Sequence, residues 1–84
     1  MYNVLFTKKS LKGLDKLAST DIKRILLTLK SFTYPFPLKY NIRKMVGTIG
    51  FYRLRVGNIR IPFELDHDRK EIWIRKIAYR GSIY

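Results

Sequence analysis

Two runs of strictly alternating residues flank a Gly-Asn pair in the second half of the chain, and this hairpin constrains the fold more than any other feature. In residues 51–56, Tyr52, Leu54 and Val56 alternate with Phe51, Arg53 and Arg55; in residues 59–65, Ile59, Ile61, Phe63 and Leu65 alternate with Arg60, Pro62 and Glu64. A period of two over six or seven residues marks strands buried on one face. Gly57-Asn58 is a dipeptide suited to a two-residue hairpin loop. Such a loop sets Val56 opposite Ile59, Arg55 opposite Arg60, Arg53 opposite Pro62 and Phe51 opposite Glu64. The apolar set requires a cover, so Arg53, Arg55 and Arg60 are left together on the other face. Like charges directly across a strand pair destabilise it, and this face therefore wants a carboxylate or an anionic ligand. Glu64, the only acid in the hairpin, falls beyond Arg53 and Pro62 and neutralises little of the cluster.

The cover comes from the first half of the chain. Residues 2–6 alternate Tyr2, Val4 and Phe6 against Asn3 and Leu5, the pattern of a short strand. From Lys8, Leu11, Leu14, Leu17 and Ala18 recur at helical spacing. A second helix is expected from about Asp21, capped by Ser19 or Thr20, with Ile22, Ile25, Leu26 and Leu29 on its apolar face. It must end before Pro35, and residues 34–38 form a connector. Residues 71–77 read as one further strand after a turn at 66–70. Its Ile72 and Ile74 continue the core, which leaves Trp73 and Arg75 on the arginine side; Trp73 is either a stacking surface there or a core residue. The expected fold class is α+β: an antiparallel sheet of about four strands, mixed at its N-terminal strand, with two N-terminal helices packed on one face.

Composition narrows the chemistry. The chain has 84 residues, with 18 Lys plus Arg against 6 Asp plus Glu and a formal charge of +12. That length predicts one domain over residues 1–84, and 46% hydrophobic content separates it from basic disordered tails. With no Cys and one His, thiolate zinc sites, cysteine nucleophiles and a two-histidine ribonuclease mechanism are excluded. Asp66, His67 and Asp68 read as turn residues, since adjacent side chains rarely converge on one ion. No metal or cofactor is expected. No apolar run approaches the roughly 20 residues of a bilayer span, and the N-terminal bases follow the apolar stretch, the reverse of a secretory signal. The expected location is the cytoplasm. A surplus of base this large favours a polyanionic partner, with nucleic acid ranked above a membrane surface. Lys8, Lys9, Lys12, Lys16, Lys23, Arg24 and Lys30 are most simply the solvated sides of the two helices.

The stretch 51–61, reading FYRLRVGNIRI, and the ending 77–84, reading IAYRGSIY, resemble the RelE/ParE toxin superfamily of toxin–antitoxin systems. Lys44-Met45-Val46-Gly47 is similar to that family's K-L-x-G segment, and the order of strand, helix pair and strands matches over the whole chain. The resemblance implies a RelE-like fold and one of two activities. RelE-like members cleave mRNA in the ribosomal A site, whereas ParE-like members poison DNA gyrase and generally lack the catalytic set. A plain basic RNA-binding module is a third reading. For a RelE-like member the resemblance implies a catalytic set of Arg53, Arg55, Arg60, Arg80 and Tyr84. Lys44 of the motif-like segment, and Trp73 and Arg75, which strand parity places on the arginine side, are expected as further RNA-binding residues. The resemblance also implies partners: the ribosome, its mRNA, and an acidic RelB-like antitoxin. The sequence departs from the best-known pattern in carrying Arg where Lys is usual at both 53 and 55.

Metal-independent RNA cleavage needs a base for the 2′-hydroxyl proton, charge compensation at the phosphoryl oxygens and help for the departing 5′-oxygen. Tyr84 is the expected base: a phenol titrates ordinarily near 10, and surrounding guanidinium groups favour the phenolate, although its own terminal carboxylate opposes them. The bland reading of Tyr84 is a frayed terminal residue. Arg55 and Arg60 are expected on the scissile phosphate, with Arg53 on it or a neighbour. Arg80 is assigned to the leaving group by the resemblance, through electrostatics, because a guanidinium is a poor proton donor.

Overall fold

The computed structural model describes residues 2–81. Its elements are β1 (Asn3–Phe6), α1 (Lys8–Asp15), α2 (Ser19–Lys30), β2 (Asn41–Lys44), β3 (Phe51–Val56), β4 (Ile59–Asp66), β5 (Glu71–Ile74) and β6 (Ala78–Tyr79). The sheet runs β1-β5-β4-β3-β2, and β6 pairs with the start of β4 beyond the end of β5. Every described pairing is antiparallel except β1 with β5, so the mixed character does sit at the N-terminal strand. The sheet holds more strands than the four expected, because β2 and β6 carry too few apolar residues to show a clear period.

β4 is the central strand, and its eight residues alternate between buried and half-buried along their whole length. Ile59, Ile61, Phe63 and Leu65 join Leu54, Ile72 and Ile74 in one core closed by Leu14, Leu17, Ile25, Leu29 and Phe32 from the helical half. The hairpin register is the one its loop length dictates, Val56 with Ile59 through Phe51 with Glu64. Gly57 takes a φ of 58° and Asn58 does not, as in a type II′ turn with glycine first.

The helices depart from the sequence reading at their ends. α1 begins after Thr7, whose Oγ1 accepts from the Ser10 amide at 3.1 Å. It stops at Asp15, so Leu17 reaches the core from the inter-helix link, while Leu11 stays 46% exposed and Ala18 is exposed. α2 starts two residues early: its cap falls at Ala18, and Ser19 and Thr20 lie inside the first turn. The reason is tertiary, since the Ala18 amide donates to the Tyr79 hydroxyl rather than to a local side chain. Leu26 is 47% exposed and lies beside the core rather than in it.

The strand expected over 71–77 breaks after Ile74. Strict alternation would turn Ile77 to the face opposite Ile72 and Ile74, yet Ile77 is fully buried in the same core. The irregular residues 75–77 make that reversal, with the Arg75 amide held by the Pro62 carbonyl at 2.9 Å. α1 then rests on this segment at Gly13, where any Cβ would collide with the Ile77 carbonyl oxygen. Gly13→Ala adds roughly 1 kcal/mol of intrinsic helix propensity, but backbone has no rotamer with which to yield. The substitution is expected to lower stability by about 1–3 kcal/mol, seen as a lower urea midpoint at unchanged m-value.

Candidate nucleic-acid interface

The face of the sheet turned away from the helices is split by charge. At one end β2 adds Asn41 opposite Arg55 and Arg43 opposite Arg53, and the hairpin adds Arg60 opposite Arg55. These five side chains, Asn41, Arg43, Arg53, Arg55 and Arg60, line a cleft of about 220 Å³. Sequence reasoning missed Asn41 and Arg43. The signal was Asn41-Ile42-Arg43-Lys44, one apolar residue in an alternating quartet just before the motif-bearing loop. Toward the other end of this face lie Glu64, Asp66, Glu71 and Trp73. Arg75 pairs with Glu64 at 3.4 Å, and the Trp73 indole donates to Glu71 Oε1 at 3.1 Å.

The expected site residues therefore fall into groups. Arg53, Arg55 and Arg60 share the cleft. Trp73 does lie on the arginine side, half-buried, but it and Arg75 are tied into the acidic end and do not line the cleft. Lys44 stands opposite Tyr52, on the helix-facing parity of β2, and is likewise not brought to the cleft. Arg80 is fastened to the rim of the hairpin by its backbone, its amide donating to the Asn58 carbonyl at 2.6 Å. Tyr84 lies outside the described residues. The 66–70 turn is held by Asp66 Oδ1, which accepts from the Arg69 amide at 3.1 Å, and no metal-holding group of His, Asp or Glu occurs among the described residues.

What positions the approach to the C-terminus is a polar junction on α2. The Tyr79 hydroxyl donates to Asp21 Oδ2 at 2.7 Å and accepts from the Ala18 amide at 2.9 Å. The same carboxylate receives the Arg24 guanidinium at 2.9 Å through its other oxygen. Arg24 in turn lies against Gly57 of the hairpin turn. One carboxylate thus links the start of α2, the β3–β4 turn and the strand that delivers Arg80.

The fold and this cleft define a class: a small basic α+β domain, with two helices behind a mixed sheet and guanidinium groups in front. The chain belongs to the family described as the ParE toxin of type II toxin-antitoxin system, parDE, whose model matches residues 4–84. It is 37% identical to the toxin RelE3 of Methanocaldococcus jannaschii over 84 residues, covering 96% of this chain and 93% of that one. Its structure is similar to the RelB-RelE antitoxin–toxin complex of Methanococcus jannaschii, with a TM-score of 0.82 and 34% identity over 95% of this chain and 94% of that one. It is also similar to the archaeal RelE-RelB complex of Pyrococcus horikoshii OT3, at 0.81 and 30%, over 95% and 96% of the two chains. The resemblance read from the hairpin and the C-terminal motif is thereby established as membership. No described helix is long and apolar enough to cross a membrane.

Two outcomes follow from the geometry. Arg55→Gln removes the charge directly opposite Arg60 and is expected to raise stability by about 0.5 kcal/mol at low ionic strength, a gain that shrinks in 1 M salt as screening tightens. Tyr79→Phe removes both hydroxyl bonds and is expected to cost about 1–2 kcal/mol, with faster amide exchange at Arg80.

Proposed function

We propose that this protein is the toxin of a type II toxin–antitoxin system and acts as a ribosome-dependent, metal-independent endoribonuclease, with residues 1–84 as one toxin domain. The observation that carries this reading is the cleft that gathers Arg43, Arg53, Arg55 and Arg60 on one sheet face. Phosphodiester cleavage by the neighbouring 2′-hydroxyl is limited by charge building on the phosphoryl oxygens, and fixed guanidinium groups compensate it without reorganising. Arg55 and Arg60 hold the scissile phosphate, while Arg53 and Arg43 hold it or its neighbour. The Tyr84 phenolate takes the 2′-hydroxyl proton, the 2′-oxygen bonds to phosphorus as the bond from phosphorus to the 5′-oxygen breaks, and the 5′-oxygen departs under the field of Arg80 and takes a proton from solvent. The products are a 2′,3′-cyclic phosphate and a free 5′-hydroxyl. Lys44, Trp73 and Arg75 contact RNA outside the cleft.

The partners in this reading are the ribosome with its message and an acidic RelB-like antitoxin, all in the cytoplasm. The two solved relatives above are complexes of RelE with RelB. A +12 toxin gains association rate and specificity from an acidic partner, and neutralising the cleft would block its use. The family model's ParE description favours keeping a second reading, a non-cleaving inhibitor of DNA gyrase.

Induction in a host lacking the antitoxin, with mapping of mRNA ends, separates the two. Wild type is expected to leave cuts registered to codons, and Tyr84→Phe and Arg60→Ala each to reduce them well over tenfold, in the range a general base or oxyanion donor contributes, at nearly unchanged melting temperature. Full cutting by both variants would refute the catalytic assignment. Growth arrest with intact mRNA and gyrase trapped on DNA would select the ParE-like reading.

A further inference from the structure

One side chain lining the arginine cleft is not a cation. Arg43, Arg53, Arg55 and Arg60 present only hydrogen-bond donors, since a guanidinium has no acceptor. Asn41 differs from them: its carboxamide has two N–H donors and an oxygen that accepts. Among the described residues that line the cleft, it is the only side-chain acceptor. The usual reasons for an asparagine are missing at this position. Its backbone is not left-handed, because Lys70 is the only described non-glycine residue at positive φ. The turn before β2 is closed by backbone alone, the Tyr40 amide donating to the Pro37 carbonyl at 3.1 Å. Asn41 opens an edge strand, a setting in which asparagine is disfavoured, and stands directly opposite Arg55 on the face it shares with Arg43. Among the described residues its side chain makes no hydrogen bond.

An acceptor set among four donors has a chemical use. Phosphate is common to RNA and DNA, so guanidinium groups alone grip either backbone. What separates the two is the 2′-hydroxyl, which both donates and accepts. A guanidinium can donate to that oxygen, but the charged phosphoryl oxygens compete for the same N–H groups. The proton of the hydroxyl needs an acceptor, and deoxyribose has no such proton. Reach then favours the sugar over the base. Directly paired residues stand about 4.5–5.5 Å apart at Cα, so the Asn41 amide lies beside a phosphate held by Arg55. In a near-attack arrangement the 2′-oxygen is roughly 3–3.5 Å from the phosphorus it will join, whereas the base edges lie beyond the sugar. The cleft of about 220 Å³ is also smaller than the roughly 300–1,000 Å³ of pockets that enclose a drug-sized ligand. That size suits a phosphate with its sugar rather than an enclosed base.

We propose that Asn41 is the residue by which the cleft tells ribose from deoxyribose, its carboxamide oxygen accepting the hydrogen bond of the 2′-hydroxyl next to the phosphate on Arg55. The inference rests on the reading of Arg55 as a phosphate-binding residue and deepens it to a choice of sugar. A carboxamide takes no proton at neutral pH, so Asn41 is not a base. It orients the hydroxyl and makes the cleft selective for RNA before any bond is cut.

The test uses the full chain and fluorescence anisotropy with three labelled strands of one length: uridine, 2′-deoxyuridine, and 2′-O-methyluridine, which keeps the oxygen but cannot donate. Wild type is expected to favour the uridine strand over both others by roughly three- to tenfold, the range of one hydrogen bond. Asn41→Ala should bring the three to within about twofold of one another, by weakening the uridine strand and leaving deoxyuridine affinity within about twofold of wild type. Arg43→Gln, which removes a phosphate contact, should weaken all three alike and preserve their ratio. Thermal melting of both variants confirms that the fold is intact. A uridine preference that survives Asn41→Ala, or an equal loss on all three strands, would overturn the proposal. So would a loss that disappears when adenosine replaces uridine, since Asn41 would then read a base. Binding is measured apart from cleavage, so the two readings fail separately. A chain that loses its ribose preference with Asn41 yet cuts no mRNA would refute the proposed activity and leave this inference standing; one that cuts mRNA and keeps the preference without Asn41 would do the reverse.

Discussion

The burial of one face of β4 is the interaction on which the rest of the structure depends. Ile59, Ile61, Phe63 and Leu65 point into the core, and the same strand supports β3, β5 and β6. Each of those side chains is worth about 1.5–3 kcal/mol on burial. The cross-strand repulsion of Arg55 and Arg60 costs at most about 1 kcal/mol. The apolar term outweighs the electrostatic one several-fold, so the register holds and the arginines are carried together whether or not they relieve one another. A one-residue slip would exchange the faces, burying the guanidinium groups and exposing the isoleucines.

Charge is then sorted along the outer face rather than mixed. Glu64 and Glu71 bind Arg75 and Trp73 at the end near the 66–70 turn, while Arg43, Arg53, Arg55 and Arg60 gather at the end near the β3–β4 turn. In a small basic chain this separation creates a local concentration of positive charge that net charge alone would not provide. Asp21 ties β6 and the hairpin turn beside the cleft to α2. Its carboxylate joins α2 to Tyr79 directly and to the hairpin turn through Arg24, so the segment bearing Arg80 is placed by a helix far from it in sequence.

Much of the architecture was legible because its elements announce themselves by period. The hairpin, its register, the helix pair and the existence of the N-terminal strand follow from alternation, loop length and helical spacing, whereas the parallel setting of that strand came only with the family resemblance. The elements that escaped are those whose conformation is imposed from outside. β2 has one apolar residue, Ile42, and exists because β3 offers it an edge; it brings Asn41 and Arg43 to the cleft. The α2 cap moved to Ala18 because Tyr79, distant in sequence, satisfies the first amide. Ile77 is buried against its strand parity because the chain turns irregular under Gly13.

The sequence by itself determined the class of fold and the grouping of Arg53, Arg55 and Arg60, because a two-residue loop and a period of two leave no other register, and its motifs carried the resemblance to the family. Tertiary structure alone decided that Arg43 joins them and that Lys44, Trp73 and Arg75 stand outside the cleft. Those placements depend on which strand edges meet, and such contacts between distant segments carry no local period to be read.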